Sequence, residues 1–186
     1  MQGFSTISIH MGQEPDEQTG AVVTPINLSS TYHIWPEKKE HQFFYQRCNN
    51  PTRTALEKCL CGLEKAKYCT MVSSGIASGS IVTLLLAPGN RILANADMYM
   101  GFLSFFNDIT PKHQNVTVDY CDFGDVKDME KKLTINTKML WIEVPTNPLL
   151  KVFDIKCLCE WAHKNGLIVV CDNTCLLYTS PSPRDS

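Results

Sequence analysis

No apolar run in this 186-residue chain approaches the roughly 20 residues that a membrane-spanning helix needs. The opening Met1-Gln2-Gly3-Phe4-Ser5 lacks the basic-then-apolar pattern of a secretory signal, and it is not Arg-rich as a transit peptide would be. Net charge is −2, so there is no excess of either sign to grip a nucleic acid or an anionic membrane surface. No internal repeat or native low-complexity segment is present. Neither G-x-G-x-x-G nor a Walker A loop occurs, which disfavours ordinary dinucleotide and P-loop nucleotide binding. These absences leave a cytoplasmic protein acting on a small molecule as the expectation.

What is present suits a globular domain. Hydrophobic residues make up 44% of the chain, enough for a core. Cysteine is abundant, with nine residues. Without a signal peptide these are expected as reduced thiols. Cys59/Cys61 and Cys157/Cys159 are C-x-C pairs in helix-like segments, where i and i+2 face different directions. Small half-buried apolar residues explain them better than a metal site does.

Residues 1–44 show weak periodicity and scattered prolines, as an arm would, with Val22–Ile26 as a short extended piece. From residue 45 to 174 the pattern is that of a domain. A helix starts at Pro51-Thr52, with Leu56, Leu60 and Leu63 on one face. Strands are expected at 68–72, 91–95, 115–120, 138–143 and 167–171. Helices are expected from Ser73-Ser74-Gly75 through Leu86, over 101–109 and 125–133, and over 155–164 with Gly166 as a cap. Apolar strands alternating with helices mean an α/β domain with a mostly parallel sheet. The tail differs in kind. A DNA reading of Cys175–Asp185 resembles the adapter of a transposase-based sequencing library, so residues 175–186 are expected to be non-native.

In an open parallel sheet, ligands bind beyond the carboxyl ends of the strands. The unusual residues collect there. Ser73-Ser74-Gly75 precedes a helix, where free amides and the helix dipole suit a phosphate; a serine that merely caps the helix is an equal alternative. Tyr99 offers a ring to a planar cofactor or serves as a rim residue. Asn147, in Pro145-Thr146-Asn147-Pro148, aims an amide inward or simply turns the chain. Asp172 follows what reads as a buried strand, where an acid needs a partner or a role. It could ligate Mg²⁺, cap the next helix, or hold a protonated ring nitrogen, as in pyridoxal-phosphate enzymes.

These residues occur inside a longer ordered set. Tyr45-Gln46-Arg47-Cys48-Asn49-Asn50-Pro51-Thr52 resembles the Y-x-R-x-x-N-P-T segment of the cystathionine γ-synthase/γ-lyase family of pyridoxal-phosphate enzymes. Ser74-Gly75, Tyr99, Glu143-Val144-Pro145-Thr146-Asn147-Pro148 and Val170-Cys171-Asp172-Asn173-Thr174 follow in the family's order, and the likeness runs from about Phe4 to Thr174. The resemblance implies the large α/β domain of the aminotransferase-like fold, present in part, with pyridoxal 5'-phosphate as cofactor. It implies that Ser74, Gly75 and Ile76 lie near the phosphate, and that Tyr45 and Arg47 reach the phosphate of a neighbouring subunit. Tyr99 would stack on the ring and take part in catalysis, Asn147 would approach the ring hydroxyl, and Asp172 would bind the ring nitrogen. No metal is implied. The N-terminal arm would contact a neighbouring subunit of a homotetramer.

The implied activity is γ-elimination on cystathionine, a small sulfur amino acid, giving cysteine, 2-oxobutanoate and ammonia. A synthase or another lyase of the family is the alternative, and a non-catalytic phosphate-ester-binding module is the alternative of another class. The family's Schiff-base lysine falls after the Asp-Asn-Thr segment, and no lysine from Lys151 to Thr174 has its Ser-x-Thr-Lys-like context. The chain as written is therefore expected to be inactive. Three further departures stand out. Met100 replaces a usual Gly and Phe102 a usual Thr, and their bulk is expected to crowd the ring. Asn49 replaces another Gly, a mild change because Asn also tolerates a positive φ.

Overall fold

The structure, a computed structural model, describes residues 3–37 and 43–174, so the suspected adapter-derived tail lies outside it. The chain divides into two compact units between Val72 and Ser73. Among the described residues, no helix is long and apolar enough to cross a membrane.

The first unit holds helices α1 (Phe4–His10) and α2 (Pro51–Glu64). The Asn-Pro-Thr motif builds the start of α2. Asn50 accepts from the amides of Thr52 and Arg53, and Pro51 occupies the first turn, where its missing N–H costs nothing. The Asn50 side chain also donates to the Asn27 carbonyl at 3.1 Å and to the Tyr32 hydroxyl at 3.2 Å, tying the preceding segment to the helix. α1 packs on α2 at Gly62, where a Cβ would press on Met11 and Ile7. The expected apolar face of α2 is only partly covered: the helix has no fully buried residue and Leu56 is exposed. Residues 1–44, expected as an arm, group with α2 in this unit.

The strand expected at 68–72 does not form. A strand needs a neighbouring backbone to satisfy its amides, and among the described residues none pairs here. The Met71 amide donates instead to the Glu57 carboxylate, at 3.0 Å. Asn49 needs no positive φ here, and its side-chain oxygen accepts from the Phe44 amide.

The second unit is a four-stranded, all-parallel sheet in the order β2-β1-β3-β4. Its strands are β1 (Arg91–Asn95), β2 (Thr117–Cys121), β3 (Thr137–Glu143) and β4 (Ile168–Asp172). Its helices are α3 (Gly75–Thr83), α4 (Met100–Ser104), α5 (Val126–Lys132) and α6 (Ile155–Lys164). α4 continues as a π-helical segment, Phe105–Gln114, beyond the expected end at 109. Pro111 inside it lacks the N–H that a regular helix would use. α3 ends at Thr83, short of the expected Leu86.

Alternation along the strands divides the core in two. Ile92, Ala94, Met139 and Trp141 face one side, with Phe102, Phe105 and Phe106 packed on them. Leu93, Leu140 and Ile142 face the other, against Met129, Leu158 and Ala162. Strands covered on both faces must be apolar throughout, which is why β1 and β3 read as continuous hydrophobic runs. β4 is different. It lies at the edge of the sheet, Ile168 and Cys171 are exposed, and the expectation of a buried final strand is not met. A part-buried bidentate pair, Arg91 with Asp119, holds β1 to β2.

Glycine is required at one point of the first face. A Cβ on Gly79 of α3 would overlap the Phe102 ring and approach Trp141 at 3.0 Å. Gly79→Ala is therefore expected to destabilise the protein by about 1–3 kcal/mol, the usual cost of overpacking. Denaturant melts of the variant and the parent measure it; equal midpoints would mean the ring moves aside freely.

Candidate active site

The strand order reverses between β1, which leads to β2, and β3, which leads to β4. Loops from β1 and β3 therefore part in opposite directions and leave a crevice at their carboxyl ends, the expected place for a ligand. A cavity of about 380 Å³ opens there, lined by Ser74, Gly75, Ile76, Tyr99, Phe102, Glu143, Asn147, Asp172 and Thr174. Ser74, Gly75, Ile76, Tyr99, Asn147 and Asp172, all expected site residues, thus meet at one place.

Each wall has a local cause. Ser74 caps α3, its hydroxyl accepting from the Ala77 amide at 3.2 Å. The cap leaves Gly75 and Ile76 as first-turn amides with no helical carbonyl of their own to serve. Capping and anion binding are therefore compatible at this turn. Tyr99 is the N-cap of α4, and its ring lies edge-on to Phe102, with centroids 6.3 Å apart. Gly101 leaves room for that ring, since a Cβ there would overlap it. Asp172 is half-buried; one carboxylate oxygen accepts from the Thr174 amide at 3.1 Å and hydroxyl at 2.6 Å.

Met100 does not crowd the cavity as expected. Its side chain is 69% exposed and takes no part in the lining. Phe102 does line the cavity, but it is anchored from behind, 4.7 Å from the Trp141 ring and 5.8 Å from Phe106. Tyr45 and Arg47 belong to the other unit, where the Arg47 guanidinium sits 4.8 Å over the Tyr45 ring.

Glu143 carries no assignment from sequence alone, yet it is the most buried acid of the cavity, 4% exposed. Its Oε2 accepts from the Tyr99 amide at 2.9 Å. It is the Cα partner of Asp172 across the β3–β4 ladder, so two carboxyls share one end of the sheet. Burial pushes the Glu143 carboxyl above its usual range, the charges of Asp172 and Asp97 add to the effect, and the Tyr99 and Asn147 amides pull the other way. The signal that could have found it is the one that singled out Asp172: an acid at the end of an apolar strand. β3 is the strand that meets that description in full, because β4 is an edge.

A wider, more open hollow of about 470 Å³ lies beyond β1 and β2, among Asn95, Asp97, Asp122, Asp128 and Lys151. It has three carboxylates and one ammonium, and the first turn of α5 brings Asp128 to its wall, a poor match to a phosphorylated ligand. The smaller cavity is the better candidate.

The model of the Cys/Met metabolism PLP-dependent enzymes matches residues 5–182. The chain belongs to this family. It is 41% identical over 174 residues to a putative cystathionine γ-lyase 2 of Caenorhabditis elegans, covering 92% of this chain and 44% of that one. It is 36% identical over 172 residues to a probable cystathionine γ-synthase of Herpetosiphon aurantiacus, covering 92% and 54%. The crystal structure of a cystathionine γ-lyase from Micromonospora echinospora superposes with a TM-score of 0.86 at 38% identity, over 94% of this chain and 46% of that one. The chain thus spans about half the length of the curated relatives it matches.

The site's own residues fit the family's cofactor. A helix N-terminus suits the phosphate, an aromatic wall suits the ring, and a carboxylate suits a protonated ring nitrogen.

The raised Glu143 carboxyl has a consequence for stability. Below its unfolded value of 4.5 it is protonated in both states and adds no penalty. Between that value and the raised folded value, the unfolded chain ionises while the folded chain keeps the proton, and stability falls until the folded carboxyl ionises too. Glu143→Gln cannot titrate. Its melting temperature relative to the parent is expected to climb as pH is raised from about 4 and then to level off. Thermal melts across that range measure it, and a constant difference would contradict the assignment.

Proposed function

We propose that this chain supplies the cofactor-facing part of a pyridoxal-phosphate enzyme that eliminates the γ-substituent of cystathionine, with uptake of water, to give cysteine, 2-oxobutanoate and ammonia. The observation that carries this reading is a single cavity joining the α3 N-terminus, the Tyr99 ring and the Asp172 carboxylate. When bound, pyridoxal phosphate supplies an aldehyde that condenses with the substrate amine and a protonated ring that draws off electrons as the Cα proton departs.

The residues divide the work. The Gly75 and Ile76 amides, with the Ser74 turn, hold the phosphate by hydrogen bonding and by the helix dipole. Tyr99 packs its ring against the flat face of the pyridine. Asp172 holds a proton at the ring nitrogen, and Thr174 fixes the carboxylate that does so. Asn147 approaches the ring hydroxyl. Phe102, packed on Trp141, gives the cavity an apolar wall that keeps water away from the ring. No lysine lines this cavity among the described residues, so we assign the amine that carries the aldehyde to a residue outside them. Tyr45 and Arg47 are proposed to reach the phosphate in a neighbouring subunit of a homotetramer, where the planar fork of Arg47 suits phosphate oxygens. A cytoplasmic location accords with this chemistry.

Asp172→Ala is expected to weaken pyridoxal phosphate binding about ten- to a hundredfold, the value of a charge-assisted hydrogen bond. Equilibrium dialysis measures it, and unchanged affinity would remove Asp172 from the site. The reaction itself is checked by following 2-oxobutanoate from cystathionine with the intact protein. Cofactor binding without that product would refute γ-elimination.

A further inference from the structure

Tyr99 and Asn147 stand on two separate loops, one after β1 and one after β3, and nothing in either sequence fixes the distance between them. The structure supplies a link. The Glu143 carboxylate accepts the Tyr99 amide at 2.9 Å, and Asn147 lines the same cavity on the loop that Glu143 begins. It is buried at the end of β3, a strand covered on both faces, so its own position is set by the core. We propose that Glu143 is a positioning residue that holds the Tyr99 loop to the end of β3, beside the loop of Asn147, so that the tyrosine ring forms a wall of the cavity. This inference rests on the cofactor site proposed above and adds a residue to it.

The clamp has specific requirements. The group must reach the Tyr99 amide from the end of β3, must accept from it, and must be held against rotation. A carboxylate on a glutamate stem meets all three. An aspartate is one methylene shorter and falls short of the Tyr99 amide from the same strand. A glutamine keeps the reach and one acceptor oxygen. Charge is not what the clamp needs: with Asp172 as its ladder partner and Asp97 nearby, added negative charge is a cost at this place. Reach therefore matters more than charge, the reverse of what a group acting directly on a cationic ring would require.

The test uses the full chain and two ligands, followed by tryptophan fluorescence. One is 4'-deoxypyridoxine phosphate, which has phosphate and ring but no aldehyde, so no lysine is needed. The other is inorganic phosphate, which reports the α3 turn alone. Glu143→Ala and Glu143→Asp are each expected to lose about tenfold in affinity for the ring-bearing ligand. Affinity for inorganic phosphate should stay as in the parent. Glu143→Gln should bind the ring-bearing ligand within about threefold of the parent. In a Tyr99→Leu background, Glu143→Ala should cause little further loss, because the residue acts through the ring that has been removed.

Parent-like binding by Glu143→Asp would overturn the inference, as would a loss in Glu143→Gln equal to that in Glu143→Ala. Equal weakening for both ligands would mark a general structural role and overturn it as well. Should Glu143→Ala fail to fold, the contrast between the aspartate and glutamine variants decides. A parent chain that binds neither ligand refutes the cofactor site itself, an outcome distinct from parent binding that the variants leave unchanged.

Discussion

β3 is the constraint on which the second unit depends. It pairs with β1 on one side and β4 on the other, and both its faces are covered. Met139 and Trp141 point into the aromatic cluster, Leu140 and Ile142 into the aliphatic one, and each is at most 2% exposed. Burying four such side chains stabilises by several kcal/mol in total, and a shift of one residue would exchange the two faces. The register is therefore fixed, and with it the height at which Glu143 leaves the sheet. The loop that carries Asn147 starts from that point, and the loop that carries Tyr99 is hydrogen-bonded to it.

The chemistry of the cavity follows from which strand ends where. An apolar core lies below, built from Trp141, Phe102 and Phe106. Above it, two carboxyls stand as neighbours in adjacent strands, in unlike surroundings. Glu143 is buried and its proton is held more tightly than usual. Asp172, at the open edge, is hydrogen-bonded by Thr174 on one oxygen only among the contacts described. The inner acid is occupied by the Tyr99 amide, while the outer one faces the open side of the cavity. The arrangement suits a structural role for the inner acid and a ligand-binding role for the outer one.

Much of this was legible in the sequence because the signals were periodic or local. The continuous apolar runs in Arg91–Asn95 and Lys138–Glu143, the Asn50-Pro51-Thr52 cap and the Ser74 turn each carry their cause within a few residues. What failed depended on partners distant in sequence. Tyr68–Val72 has strand composition but no described strand beside it. β4 reads as buried because its residues are apolar, while the sheet order puts it at an edge. Met100 was expected to crowd the ring because it stands where the family has Gly, but its side chain at the first turn of α4 is exposed. Glu143 is masked in the sequence by its place at the head of a longer motif, Glu143–Pro148, whose prolines and Asn147 carry the local turn signal.

The most direct measurement is a crystal structure of the intact protein with pyridoxal phosphate bound. The account predicts the phosphate on the amides of Gly75 and Ile76, the ring against Tyr99, and the ring nitrogen within hydrogen-bonding distance of the Asp172 carboxylate. A cofactor seated instead in the hollow of Asn95, Asp122 and Lys151, or one whose ring nitrogen faces away from Asp172, would contradict it.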